Sequence, residues 1–316
     1  MATYRTTLPD AFLSRLAYLE DVLMDEIQIE DGVVPSVFKI RDMGNRPMVR
    51  TTTVASFGTV PIKAEGANVT YEDLAGGYDV TYQADTYELA FKASKEALDD
   101  EQEETVSDAA RALGASLTYS YNLDHANVFI NGFSSTTGSP DGSALFVTNH
   151  TLEGGGTAAN RAATDADLGV AGLRDALNVI GDTVDPAGKL VHWRPRILLV
   201  PTELSWLAKE LVQSTDRPDT ADRAINAFKD DNLRVIAWPY LTANDDWFLL
   251  AEPSKHNIRS YWRERPNVMH DFDFESTSMK AKIRARWPRP SGSWSRRSPS
   301  SRRRCPGAAG KRRSAT

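Results

Sequence analysis

The chain has 316 residues, 41% of them apolar and 25% charged, which suits about two folded domains; no run approaches the ~18 apolar residues of a membrane span, and the opening MATYRTTLPD lacks a secretory signal. Its one cysteine, Cys305, excludes an intrachain disulfide and a cysteine-built zinc cage, so a soluble protein of the reducing cytoplasm is expected, with no membrane partner. The net charge of -6 is uneven: residues 288–316 hold nine Lys/Arg and no acid, so residues 1–287 carry 28 basic against 43 acidic residues, or -15, and such a body repels nucleic acid.

In chain order, Phe12, Leu16, Leu19, Leu23 and Ile27 recur at steps of three or four behind Pro9. That spacing predicts an amphipathic helix over 8–30, either packed on its own domain or laid along a neighbouring subunit as an arm. Two strands follow, Thr51–Ile62 and Tyr78–Phe91, joined by the polar stretch Lys63–Gly77. Tyr78, Val80 and Tyr82 alternate with Asp79, Thr81 and Gln83, giving one apolar and one wet face. A two-stranded ribbon alone is marginal in water, so it must lean on its own domain or on another chain.

Val106, Ala110, Leu113, Leu117, Tyr121 and Val128 keep helical spacing and predict a long strut from about Glu101 to Ile130. The acidic group Asp99, Asp100, Glu101, Glu103 and Glu104 falls at its amino end, where carboxylates favour the helix dipole. A metal site is the other reading of that group, but no histidine accompanies it. Residues Asn131–Thr164 are rich in Gly, Ser, Thr and Asn and read as loops around one short strand, Ala144–Thr148. Gly154-Gly155-Gly156 has no Lys-Ser/Thr behind it, which argues against a phosphate-cradling loop.

An α/β segment comes next: helix Asp167–Ile180, strand Ile197–Val200, helix Thr202–Gln213 with Thr202 as its N-cap, helix Ala221–Phe228, and strands Arg234–Trp238 and Trp247–Ala251. It predicts a mixed sheet covered by helices, an inserted domain of about ninety residues. At the end, Asp271, Asp273 and Glu275 alternate with Phe272 and Phe274, and Lys280, Lys282, Arg284 and Arg286 alternate with Ala281, Ile283 and Ala285. A hairpin setting Glu275 opposite Lys280, Asp273 opposite Lys282 and Asp271 opposite Arg284 would place three ion pairs on one face. The alternative use of His270, Asp271 and Asp273 as metal ligands is disfavoured, because alternation puts His270 on the other face. Beyond Trp287 the chain is almost all Arg, Ser, Pro, Gly and Ala and is expected to be disordered. It reads either as a cationic arm touching DNA through phosphate neutralisation or as the product of a GC-rich gene read out of frame.

The order of arm helix, ribbon, strut, inserted α/β unit and closing strands resembles the Hong Kong 97-type coat protein of tailed bacteriophages, and Mu-like major head subunits in particular. The strings that carry the likeness are VPIKAEGANVTYEDLAGGYDVTYQADTYELAFKASKEALDDEQ at 60–102, RPRILLVPTELSWLAKELVQS at 194–214 and LRVIAWPYLTANDDWFLLAEPSKHNIRSYWRERP at 233–266. The resemblance implies an α+β fold with an N-terminal arm at 1–50, an extended loop at 51–91, a peripheral domain with the spine helix at 92–165 and 255–287, an axial domain at 166–254 and a basic tail at 288–316. It implies a structural subunit that self-assembles through hexamers and pentamers into an icosahedral head shell around double-stranded DNA, without sequence-specific contact. A portal and a maturation protease are implied partners. A start within the arm leaves no room for a fused scaffolding segment, so a separate scaffolding protein is expected too. The aromatic, Gly-rich strand that usually closes such chains is replaced here by the basic tail. Lys63 lies in the loop from which some relatives supply the lysine of an isopeptide cross-link, but nothing around it implies activation.

No catalytic, cofactor-binding or metal-binding residue is expected. His125, His150, His192, His256 and His270 stand at no ligand spacing, and no G-x-S-x-G, H-E-x-x-H or P-loop string occurs. Two other readings remain open to the sequence: a nanocompartment shell of the same fold, and a metal-dependent hydrolase acting through Asp271 and Asp273.

Overall fold

The computed structural model describes residues 18, 20–27, 29, 32–54, 57, 59–72, 76–94, 96, 103–134, 139, 141–151, 156–162, 164–184, 189–191, 194–216, 225–273, 275–276, 278–290 and 300–302. A leading helical segment at 20–26 is followed by the short helix α1 (Val33–Val37) and strand β1 (Lys39–Asp42). Leu23 is buried against the spine helix, so the described part of this segment packs on its own chain. Most of the expected helix over 8–30 lies outside the described residues.

Strands β2 (Met48–Val54) and β3 (Gly76–Ser94) form the ribbon, from Met48 opposite Gln83 to Val54 opposite Gly76. The first strand therefore begins earlier than the expected Thr51 and ends well before Ile62; the chain from 59 to 72 forms no strand. Val80 and Tyr82 are buried while Asp79, Thr81 and Gln83 are exposed, as the alternation requires. At 19 residues and ~3.3 Å per residue, β3 runs about 60 Å. Its second half leaves β2 and joins the body, pairing with β11 from Ala84 to Ser94.

The spine helix α2 (Glu103–Ile130) matches the expected strut and spans about 42 Å at 1.5 Å per residue. No proline interrupts its 28 residues, and Val106, Ala110, Leu113, Leu117 and Tyr121 form its buried stripe. The predicted strand Ala144–Thr148 does not form. Phe146 donates its amide to the Gly132 carbonyl (2.9 Å) and Val147 to Asn160 Oδ1 (2.9 Å), so loop groups satisfy this backbone instead of a ladder. The pairing in this region is β4 (His150–Thr151) with β5 (Thr157–Ala158).

Helix α3 (Val170–Gly181), strand β6 (Ile197–Val200), helix α4 (Ser205–Gln213) and strands β7 (Arg234–Ala237) and β8 (Trp247–Leu250) make up the α/β segment. Strand β6 lies between β7, parallel, and β8, antiparallel. Thr202 does not cap a helix: it opens a 3-10 turn, Thr202–Leu204, whose N-cap position is Pro201. The expected helix Ala221–Phe228 is also corrected. Residues 221–224 lie outside the described residues, and Ala227–Asp231 is a 3-10 helix whose entry Asn226 fixes by accepting from the Phe228 amide (3.2 Å).

The sheet is buried on both faces, which is why its strands read ILLV and WFLL without polar alternation. Leu198, Val200, Trp247 and Leu249 pack under α3 and α4. Ile197, Leu199, Phe248 and Leu250 join the core around the spine helix, where Phe129 and Phe248 have ring centroids 5.0 Å apart.

Strand β9 (Arg259–Trp262) runs parallel to β1, a pairing between residues about 220 positions apart that the sequence did not reveal. Strands β10 (Glu264–Asp273) and β11 (Ser278–Pro288) complete a four-stranded sheet of order β10-β11-β3-β2. The hairpin register differs from the expected one: Asp273 faces Ser278, Asp271 faces Lys280 and Asn267 faces Arg284. The reversal comes two residues early because Asp273 accepts the Glu275 amide (3.2 Å) and the Ser276 and Ser278 hydroxyls meet at 2.6 Å. The inward row Met279, Ala281, Ile283, Ala285 and Trp287 is buried, so apolar packing and not charge sets the register. The charges pair differently as a result. Lys280 reaches diagonally to Asp273 (2.8 Å), and Arg284 lies 3.3 Å from both Glu88 and Glu264.

The tail is not wholly without structure. Pro288 ends β11, and β12 (Ser300–Arg302) pairs antiparallel with Trp247–Leu249 of β8. An edge strand offers unpaired ladder groups to any extended segment, whatever its side chains.

Candidate assembly surfaces

The foot of the ribbon is anchored on the body by a small apolar cluster of Met43, Val80, Tyr82 and Tyr261. The Tyr82 and Tyr261 rings lie 4.7 Å apart, and the Tyr261 hydroxyl is 3.3 Å from Thr51 Oγ1. Beyond this anchor the ribbon carries a loop whose apolar side chains are left exposed by the described residues, although the Lys189 ammonium donates to the Phe57 carbonyl. Val60, Ile62 and Tyr71 are 95%, 101% and 92% exposed, with Phe57 and Val69 more than half exposed. Lys63 and Glu65 are exposed in the same loop. Exposed apolar side chains concentrated in one stretch of chain are poorly solvated by water. A second exposed aromatic, Trp206 on α4, is 79% exposed with Lys209 Nζ 5.3 Å above its ring.

The histidines are dispersed through the fold. His125 is fully buried on the spine helix; its Nδ1 donates to the Tyr121 carbonyl (2.7 Å), which leaves Nε2 to accept from the Ser260 hydroxyl (2.8 Å). Burial pushes its pKa down to about 3, so it is neutral and ties the spine helix to β9. Tyr121 stacks on Trp262 (4.8 Å) beside it, and burial raises the Tyr121 hydroxyl to about 12. His256 is buried and likewise pushed down, to about 4. His150 is buried with Nδ1 2.7 Å from Asp141 Oδ2 and Nε2 3.2 Å from the Leu145 carbonyl, inside the loops after the spine helix. His192 lies outside the described residues.

His270 is exposed on β10 opposite Ala281, while Asp271 and Asp273 face Lys280 and Ser278 on the other side of the sheet. The Lys280 ammonium and the Ser276 hydroxyl hold the Asp273 carboxyl down to about 2. Asp273 is therefore occupied by a surface ion pair and the turn, while Asp271 accepts the Phe272 amide (2.9 Å). Asp99, Asp100 and Glu101 lie outside the described residues. Among the described residues no three His, Cys, Asp or Glu side chains converge on a metal-sized site, and no helix is long and apolar enough to cross a membrane.

Residues 77–288, 212 of the 316, match the family described as Phage capsid protein. The chain belongs to the phage capsid protein family. This capsid protein is also similar to solved structures. That from Microbacterium phage Oxtober96 has a TM-score of 0.51 at 12% identity, covering 84% of this chain and 88% of that one. The capsid structure of cyanophage P-SCSP1u gives 0.53 at 10% identity, covering 84% and 86%. The bacteriophage JBD30 capsid gives 0.50 at 14% identity, covering 76% and 97%. A comparison with curated protein sequences found no match. At such identities the likeness is one of fold, and that fold is the Hong Kong 97 type. The capsid protein is thus a structural subunit of a phage head shell, located in the virion.

Sequence reasoning missed one surface feature. Arg41, Arg46, Arg50 and Arg259 line a single depression beside the ribbon foot. The spacing in KIRDMGNRPMVR at 39–50 was its only local signal, and Arg259 comes from the far end of the chain through the β1–β9 pairing.

Proposed function

We propose that copies of this capsid protein assemble through hexamers and pentamers into an icosahedral head, with the ribbon loop of each subunit lying over its neighbour. The exposure of Val60, Ile62 and Tyr71 carries this reading: apolar side chains left exposed among the described residues gain free energy when a second copy buries them. Residues 1–50 act as the N-terminal arm, held to the body by β1, and 51–91 as the extended loop. Residues 92–165 and 255–287 act as the peripheral domain, and 166–254 as the axial domain around the symmetry axes.

A separate scaffolding protein, a portal and a maturation protease are the partners of assembly in the host cytoplasm. The shell encloses double-stranded DNA without reading its sequence, in keeping with the charge of -15 over residues 1–287. The subunit performs no catalysis. Burial of His125 and His256 and the separation of His270 from Asp271 and Asp273 support that reading.

The test is to replace residues 59–72 with a short Gly-Ser link and examine the expressed protein by sedimentation and negative-stain microscopy. The expected product is a soluble, folded subunit that forms no shell where the full chain does. Particles of normal size from the shortened chain would overturn the proposal.

A further inference from the structure

The arginine-lined depression at the foot of the ribbon has no role in the shell-subunit reading so far. It has a volume of about 530 Å³, in the ~300–1,000 Å³ range of sites that hold a defined ligand group, and its wall includes Arg41, Arg46, Arg50, Arg259, Thr51 and Tyr261. Three chain segments build it: the end of β1, the start of β2 and β9. Arg263 fixes the connecting turn, its Nη1 donating to the Gly44 carbonyl (2.7 Å), and Gly44 takes the left-handed conformation the turn needs (φ 59°).

The charges within it do not balance. Arg50 is paired with Asp79, and Asp42, the one acid in the wall, is 4.0 Å from Arg265 outside it. Arg41 and Arg46 have no ion pair among the described residues. Arg259 donates to Asn257 Oδ1 (3.3 Å), but its Nε is buried without an acceptor. The planar guanidinium fork matches a carboxylate or phosphate in two-point contact.

We infer that this depression is a socket between subunits, occupied in the shell by a carboxylate-bearing segment of a second copy of this chain. The inference rests on the shell-subunit reading and adds the chemistry of one contact to it. Two observations favour a second copy over nucleic acid. Residues 1–287 carry 43 acidic against 28 basic residues, so every neighbouring copy presents an excess of carboxylates. The arginines also surround one concavity, whereas duplex DNA is bound by cations strung along successive phosphates. The socket adjoins the Tyr82–Tyr261 anchor, so filling it would also stiffen the ribbon foot from which the apolar loop projects.

The test compares full-length wild type with Arg41→Glu/Arg46→Glu by sedimentation velocity across protein and NaCl concentration. Arg41→Gln/Arg46→Gln serves as a milder variant, and far-UV circular dichroism confirms that each is folded. The reversed variant is expected to need at least about tenfold more protein for half assembly, and the Gln pair an intermediate amount, with a flatter salt dependence in both. Equal assembly by wild type and both variants would overturn the socket while leaving the shell reading in place. A wild type that stays monomeric under every condition would overturn both. Binding of a short DNA duplex by wild type, lost in the variants while assembly is unchanged, would replace the second copy with nucleic acid as the occupant.

Discussion

A Cβ added to Gly114 would lie 2.9 Å from the carbonyl oxygen of Leu23 and 3.2 Å from the Cβ of Glu26. The spine helix and the leading segment therefore touch almost backbone to backbone at this point, and Leu23 is buried by that approach.

This contact reverses an ordinary substitution effect. Gly→Ala in a helix interior normally stabilises by about 1 kcal/mol, but Gly114→Ala is expected to destabilise by ~1–3 kcal/mol because backbone has to move to admit the methyl group. Urea unfolding of the two proteins decides the sign.

Trp287 stacks on Tyr87 with ring centroids 3.7 Å apart and planes 3° from parallel, and its Nε1 donates to Asp124 (3.1 Å). Burial and the neighbouring Asp124 hold the Tyr87 hydroxyl protonated well above its ordinary range. Trp287→Ala is expected to cost ~3–5 kcal/mol, and Trp287→Phe clearly less, since a ring remains to stack while the bond to Asp124 and part of the indole volume are lost. Denaturation midpoints at constant slope are the readout.

The hairpin register makes two neighbouring cations unequal. Arg284 lies between Glu88 and Glu264, whereas Lys282 faces Met269. Arg284→Ala should cost about 1 kcal/mol and Lys282→Ala close to nothing. The register expected from charge alone, with Asp273 opposite Lys282, predicts a comparable loss at Lys282, so equal effects in thermal unfolding would contradict the observed pairing.

Acid should weaken the fold through its buried histidines. The folded pKa values of His125 and His256 are pushed down to about 3 and about 4, below the ~6.5 of an unfolded chain. The unfolded chain takes up protons in this window that the native one refuses. Their contribution is thus complete above about pH 6.5 and is lost as the pH falls toward 4, by up to ~1.4 kcal/mol per pH unit for each histidine. Urea unfolding at pH 7.5 and pH 5 should show the loss, and His256→Gln should reduce it by about half. An unchanged difference in that variant would exclude His256 as a contributor.

Elements with a strong local period were legible in the sequence. The spine helix keeps helical spacing without a proline from Glu103 to Ile130, and β6 has the limits expected of the apolar run ILLV. The alternation of Val80 and Tyr82 with polar neighbours likewise identified the buried face of the ribbon, and the order of elements pointed to the capsid family. The misplaced features turned on which of several partners the backbone groups chose. Ala144–Thr148 looked like a strand but meets Gly132 and Asn160 instead of a ladder, and Thr202 looked like a cap but opens a 3-10 turn.

The amino-acid order alone determined which residues form the spine, the sheet strands and the apolar faces, since these follow from period and composition within short windows. Only the folded chain decided that β1 pairs with β9, that the hairpin turns at Asp273, and that four arginines from both ends of the chain share one depression. Such contacts are selected by competition among many partners for burial and charge in three dimensions, and no local pattern encodes the winner.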